Sequence, residues 1–263
     1  MKSIVLRSKK KILASRHGLF AARTAEGIDF DELVEYDYQS DAKKIDWNSY
    51  ARTGKLYQKR FISEHSRHIL IAPILTGSLH FGYDRLLFEK VVEAVSLLSF
   101  SALLAKDLVH LAPIVEESVQ LTRLTNFVEA EKELERLANT KIVGKGFKCD
   151  LNRLYPHPKS LLIFIGDFLY TPDLKLLAAK HDVVCILFRQ TLLPFLEPVE
   201  TTDNVTMKKK GSLFDTKGIA HYTRRREALH SELFEAWRRD RVDYVVIEEE
   251  PIFEKLRLFF GRR

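Results

Sequence analysis

From residue 68 onward, short apolar runs alternate with helix-length stretches, and this alternation limits the fold more than any other feature. HILIAPIL (68–75), LVHLAPIV (108–115), LLIFIGDF (161–168), VVCILF (183–188) and YVVIEEEP (244–251) read as strands. Their apolar residues are nearly continuous rather than every second one, as in strands covered on both faces. Residues 84–107 read as one long helix, apolar almost all round after Val91, so it should pack on more than one neighbour. Residues 121–138 place Leu124, Phe127, Val128, Leu134 and Leu137 on one helical face. Shorter helices follow at 172–180 and 223–239, and a last one is opened by Pro251. Residues 189–220 are rich in turn formers and read as containing a β-hairpin. The pattern predicts an α/β fold: a doubly wound, mainly parallel, Rossmann-like sheet with helices on both faces.

The stretch before this alternation is of a different kind. Residues 27–64 hold Trp47, six tyrosine or phenylalanine rings, acids concentrated in the first half and bases in the second. Neither the helical nor the strand period is clean over 28–38; a helical turn around Trp47 and a strand after Thr53-Gly54 are expected downstream. Residues 1–25 carry short apolar pieces among bases and read as an edge strand and connector, with a solvated, partly mobile terminus. The chain is accordingly divided into a β-rich N-terminal extension, 1–66, and an α/β domain, 67–263.

Composition excludes several classes. The 263 residues are 46% hydrophobic and 30% charged, which fits a folded globular chain and not global disorder. Cys149 and Cys185 have no CxxC neighbour, which disfavours a disulfide framework and a thiolate zinc site. None of the nine histidines has HExxH spacing. The most apolar run, 94–105, is twelve residues and falls short of the about 20 that a span requires. With no signal-peptide core at the start, the expectation is a cytoplasmic chain without membrane insertion.

Residues across the chain resemble a known family. His17-Gly18, Gly27, Asp29-Phe30, Glu32-Leu33, Glu35-Tyr36, Asp41, Ile45-Asp46-Trp47, Ala51-Arg52, Leu56 and Glu64 are similar to the signature of the domain-of-unknown-function 58 family. That signature runs roughly G-x-EF-x-ELR-x-Y-x-x-GDD-x-R-x-IDW-x-x-SAR. LLIFIGDF looks like the family's "ISDF" strand, and HDVVCILF and LLPFLEP like the pieces that follow it. The sequence departs from the signature at Val34, Gln39, Ser40, Lys43 and Tyr50.

The resemblance implies that the second part is von Willebrand factor A-like, with a divalent-cation site at the carboxyl end of the sheet. Matching Ser78, Phe81 and Gly82 to the family's "S-M-x-F-G" puts Ile74 where the first aspartate belongs. Thr76 and Ser78 then stand at the hydroxyl positions and Asp167 at the late aspartate, with Asp84 a nearby acid. One carboxylate and two hydroxyls leave little charge to offset magnesium dehydration. The expectation is a degenerate metal-ion-dependent adhesion site, with no cofactor and weak magnesium binding as the most it would support.

The resemblance also implies a partner. Members of the family commonly accompany MoxR-type AAA+ ATPases in chaperone-like or complex-maturation systems, so the expected role is a non-enzymatic protein-interaction module. The implied partner surface is the signature itself: Asp29, Phe30, Glu35, Tyr36, Asp41, Asp46, Trp47 and Arg52. A plainer reading of Asp46, Trp47 and Arg52 weighs more at this stage, an internal ion pair beside a buried indole. Two alternatives stand beside the interaction role. One is a basic nucleic-acid-associated module using residues 1–23, with seven Lys or Arg and no acid, and residues 208–226. The other is a serine hydrolase built on Ser78, His80 and Asp84, for which no nucleophile elbow is present. Glu248, Glu249 and Glu250 precede Pro251 and read as acids favoured by a helix N-terminus.

Overall fold

The apolar runs meet in one sheet. The structure is a computed structural model that describes residues 2–15, 18–19, 24–36, 45–62, 67–192, 200–207, 209–211, 216–249 and 251–263, with side chains left out at 24–35, 59–62, 200–202, 209–211 and 216. The strands are β3 (His68–Pro73), β4 (Leu108–Leu111), β8 (Leu161–Gly166), β9 (Asp182–Phe188) and β12 (Asp243–Ile247), all parallel, and β7 (Thr122–Leu124), antiparallel to β4. Their order is β12-β9-β8-β3-β4-β7. Counting parallel strands along the chain, this is the 2-1-3-4-5 doubly wound order, whose winding direction reverses between β3 and β8.

Side chains leave each central strand alternately to two cores. Ile69, Ile71, Ile163, Ile165, Val184 and Ile186 enter one, and Leu70, Ala72, Leu162, Phe164, Val183 and Cys185 the other. The first core is covered by α1 (Lys2–Ala14), α3 (Leu87–Leu104), α4 (Phe127–Ala138) and α7 (Ile252–Gly261), and the second by α5 (Lys175–Lys180) and α6 (Thr216–Arg239). The apolar character of α3 all round follows from its position, because it touches α1, α4, α7 and the sheet together. Cys185 is wholly buried in the second core, and burial pushes its thiol well up.

Pro73 is tolerated inside a central strand for a directional reason. The Ile74 amide donates to Ile165 on the β8 side (2.8 Å), while Leu75 donates to Ile114 on the β4 side (2.8 Å). Pro73 alternates with Ile74, so its missing N–H falls on the side where β4 has already ended at Leu111. The chain then leaves the sheet as a small hairpin of β5 (Ile114–Val115) and β6 (Ser118–Val119).

Three sequence expectations change. Residues 2–14 form a helix rather than an edge strand, because Ile4, Ser8 and Ile12 recur every fourth residue and are buried. That helix is docked: Lys2, Lys9 and Lys11 pair with Glu135, Glu131 and Glu254. Residues 1–20 therefore group with 67–263, and the second unit is 21–66, so residues 1–66 are not one extension. The helix expected from 121 starts at Phe127, after β7, where the Asn126 side chain accepts from the amides of Val128 (3.0 Å) and Glu129 (2.9 Å). Val128 is consequently exposed.

The second unit holds β1 (Thr24–Glu35) paired antiparallel with β2 (Tyr57–Ile62), with α2 (Trp47–Thr53) between them. Gly54 ends α2 in the left-handed conformation (φ 69°), donating to the Tyr50 carbonyl at 2.8 Å. The hairpin expected in 189–220 is β10 (Glu200–Thr202) with β11 (Lys209–Gly211). Among the described residues, no helix is long and apolar enough to cross a membrane.

Candidate functional site

The chain leaves β3 and β8 side by side at the point where the winding reverses, the position at which open α/β sheets form a crevice. After β3, Thr76 and Ser78 enter a short 3₁₀ turn (Gly77–Leu79), and their hydroxyls are 2.7 Å apart. After β8 comes Asp167, 3% exposed. The next residue, Phe168, is buried with φ 47°, a strained geometry for a bulky side chain, and its ring meets Trp237 edge-on at 5.0 Å. This kink fixes where the Asp167 carboxyl sits.

A cavity of about 470 Å³ opens here. Its floor is Thr76, Ser78 and Asp167; one wall is Phe147 stacked on Tyr170 with centroids 4.3 Å apart. Gly166 makes room for that wall, since a Cβ there would lie 3.0 Å from the Tyr170 hydroxyl. Asn204 and Val205, from the β10–β11 connection, form another side. Gly77 lets that connection approach, because a Cβ would stand 1.9 Å from the Asn204 carbonyl oxygen. The last wall is α6, which contributes Tyr222, Arg226 and His230 at successive turns.

The electrostatics of the cavity are those of buried charge. Burial pushes the Asp167 carboxyl up, partly offset by the Ser78 hydroxyl and the Leu169 amide. Burial holds His230 down at about 4, with its Nε2 3.2 Å from the Asp167 main-chain oxygen. Burial also pulls the Arg226 guanidinium down, although its Nη1 donates to the Gln190 carbonyl at 2.7 Å and its guanidinium lies over the Tyr222 ring. Arg189 pairs with Glu248.

The donor set does not fit a magnesium site. The position matched to the first aspartate is Ile74, buried and hydrocarbon, and the Thr76 and Ser78 hydroxyls are hydrogen-bonded to each other. Among the described residues no three His, Cys, Asp or Glu side chains gather where they could hold a metal. Magnesium demands near-octahedral oxygen ligation with several anionic or water ligands.

Other sequence candidates are placed as follows. Trp47 is 61% exposed, not buried, and meets Tyr50 edge-on at 6.0 Å. Asp46 is buried and accepts from the Ser49 hydroxyl at 2.7 Å, while Arg52 Nε donates to the Asn48 carbonyl (3.4 Å). Tyr36 lies just after β1 and is half-buried. The backbone of Asp29, Phe30 and Glu35 lies in β1, but their side chains, with Asp41, Lys208, Glu250 and residues 193–199, lie outside the described residues. Ser78, His80 and Asp84 are joined by no hydrogen bond among the described residues; His80 and Asp84 are exposed. Glu248 is held by Arg189 rather than serving α7, whose N-cap is Pro251.

A family model described as "Protein of unknown function DUF58" matches residues 32–218, well over half of the chain. The chain belongs to the DUF58 family. The comparison with curated proteins gave no match. In this DUF58 protein, Thr76, Ser78 and Asp167 lie inside the matched residues, whereas Tyr222, Arg226 and His230 lie beyond them. The α6 wall is also what sequence reasoning missed. Its signal was a polar and aromatic stripe at 222, 226 and 230, continuing into buried Leu233 and Trp237.

Proposed function

We propose that this DUF58 protein is a non-enzymatic interaction module that works with a MoxR-type AAA+ ATPase in the assembly or maturation of a larger complex. The observation that carries the reading is the exposed aromatic pair of Trp47 (61%) and Tyr50 (44%). A globular unit gains by covering an indole, so one left out on a helix whose ends are fixed by the Asp46–Ser49 bond and by Gly54 suits a partner. Trp and Tyr are also the residue types that dominate binding energy at interfaces. The choice of an ATPase rests on the family resemblance of the segment that contains this pair.

The test is Trp47→Ala, assayed against a MoxR-type AAA+ ATPase from the same source by calorimetry and by pull-down from native extract. The expected loss is about 2 kcal/mol or more of binding, the scale of an interfacial hot spot. Folding stability should stay within about 0.5 kcal/mol, as for a surface residue. Undiminished binding by the variant would remove Trp47 from the interface. Wild-type protein that retains no AAA+ ATPase would overturn the reading.

A further inference from the structure

The cavity at the end of the sheet gathers unmet hydrogen bonds. Among the described residues, Asp167 Oδ2, Tyr170 OH, Gln190 Oε1, Arg226 Nε and His230 Nδ1 are buried polar atoms without a partner. All five residues line this one cavity. Each such atom costs about 1–3 kcal/mol when left unpaired, so a concentration of them at a cavity points to a group that occupies it. The site is also where an open α/β sheet of this winding takes ligands.

The unmet atoms specify the complement. The Asp167 main-chain oxygen can only accept, so His230 Nε2 carries the proton and Nδ1 is a bare acceptor. Gln190 Oε1 accepts, and so does Asp167 Oδ2 in the ionised form, which burial disfavours and a facing ammonium favours. Three acceptors call for a donor-rich, positively charged head. Arg226 Nε can only donate, from a cation, and calls for an anionic acceptor. Arg226 and His230 are four residues apart on α6, so the two kinds of partner are wanted about one helical turn apart. Much of the remaining lining is hydrocarbon, including Phe81, Phe147, Leu169 and Leu192.

An ammonium and a carboxylate on one carbon, with an apolar substituent, meet all three demands. We propose that this cavity binds a free α-amino acid with an apolar or aromatic side chain, its ammonium facing Asp167, His230 and Gln190 and its carboxylate facing Arg226. The volume, about 470 Å³, lies in the range of about 300–1,000 Å³ usual for small-molecule sites. This proposal is independent of the ATPase partnership, because it uses no residue of 21–66.

The test uses the full chain, with calorimetry and thermal unfolding in the presence of L-leucine or L-phenylalanine. The controls each lack one pole: 3-phenylpropionate has no ammonium, 2-phenylethylamine has no carboxylate, and L-phenylalaninamide mimics a peptide N-terminus. The expected result is binding of the amino acids, with each control at least tenfold weaker. Arg226→Gln should abolish the difference between phenylalanine and phenylethylamine. Asp167→Asn should abolish the difference between phenylalanine and 3-phenylpropionate. Circular dichroism of both variants separates lost binding from lost folding, and Arg226→Lys, which keeps the charge, should retain part of the carboxylate preference. Absence of heat and of a thermal shift with every amino acid at 10 mM would overturn the proposal. A control binding as well as its parent amino acid would overturn it too.

Discussion

His230 Nε2 lies 3.2 Å from the main-chain oxygen of Asp167 and ties the middle of α6 to the end of β8. Only the protonated nitrogen of a neutral imidazole is needed for this bond, and burial keeps the ring neutral in the folded chain down to about pH 4. Arg189 and Arg226 act in the same direction.

This depressed value has a signed consequence. The unfolded chain takes up the proton near the ordinary histidine value of 6.5, while the folded chain refuses it until about 4. Stability is therefore unaffected above about pH 6.5 and falls as the pH drops from there towards 4, by about 3 kcal/mol in total. Urea unfolding at pH 7.5 and 4.5 should show His230→Gln losing about 2 kcal/mol less than wild type over that interval. Equal losses would mean that His230 does not titrate in this way.

Asp167 works with the opposite sign. Its carboxyl is pushed up by burial, so the folded state prefers the neutral acid, and the destabilisation is fully present above its folded value and absent below 3.8. Asp167→Asn should raise stability by about 1–3 kcal/mol at pH 7–8, and the gain should shrink to nothing as the pH falls below 3.8. A gain in stability accompanied by loss of amino-acid binding is the trade expected of a group kept for function. Denaturant midpoints across that pH range decide it, and a variant less stable than wild type at pH 8 would contradict it.

Gly77→Ala should strain two elements at once. The new methyl would meet the Asn204 carbonyl oxygen at 1.9 Å, and that oxygen accepts from the Gly144 amide at 2.7 Å. Neither neighbour is a flexible side chain, so the cost is about 1–3 kcal/mol, the scale of overpacking. Gly54→Ala is the contrast: nothing stands within 4 Å of its Cβ, and its cost comes only from φ 69°. Comparing the two by chemical unfolding separates crowding from backbone strain.

What the sequence made legible follows from where burial is strongest. The five parallel strands could be read directly because their residues are mostly apolar and the central strands are covered on both faces. Strand β7 escaped because three residues, Thr122–Leu124, at a sheet edge carry no period. Helix α1 escaped because lysines interrupt its stripe of Ile4, Ser8 and Ile12, although their ammonium groups are spent on acids of α4 and α7. Thr76, Ser78 and Asp167 were found by resemblance and do share one cavity. Arg226 falls in the basic stretch 208–226 that reads as a nucleic-acid surface, since sequence cannot tell which arginine of RRR turns inward. Trp47 was expected to be buried; an indole's hydrophobicity says nothing about whether its own chain covers it.

The docking of α1 sets an order on folding. Lys11 of this helix reaches Glu254 at 3.1 Å and lies over the Phe253 ring at 4.5 Å, so α1 rests on residues made more than two hundred positions later. A ribosome emits the helix long before α3, α4 and α7 exist, and a short helix of 13 residues has little stability alone. Helix α1 must therefore wait, exposed, while the inserted unit 21–66 can pair β1 with β2 from local residues. Closure of the α/β body is thus a late, long-range event, timed by the synthesis of its last helix.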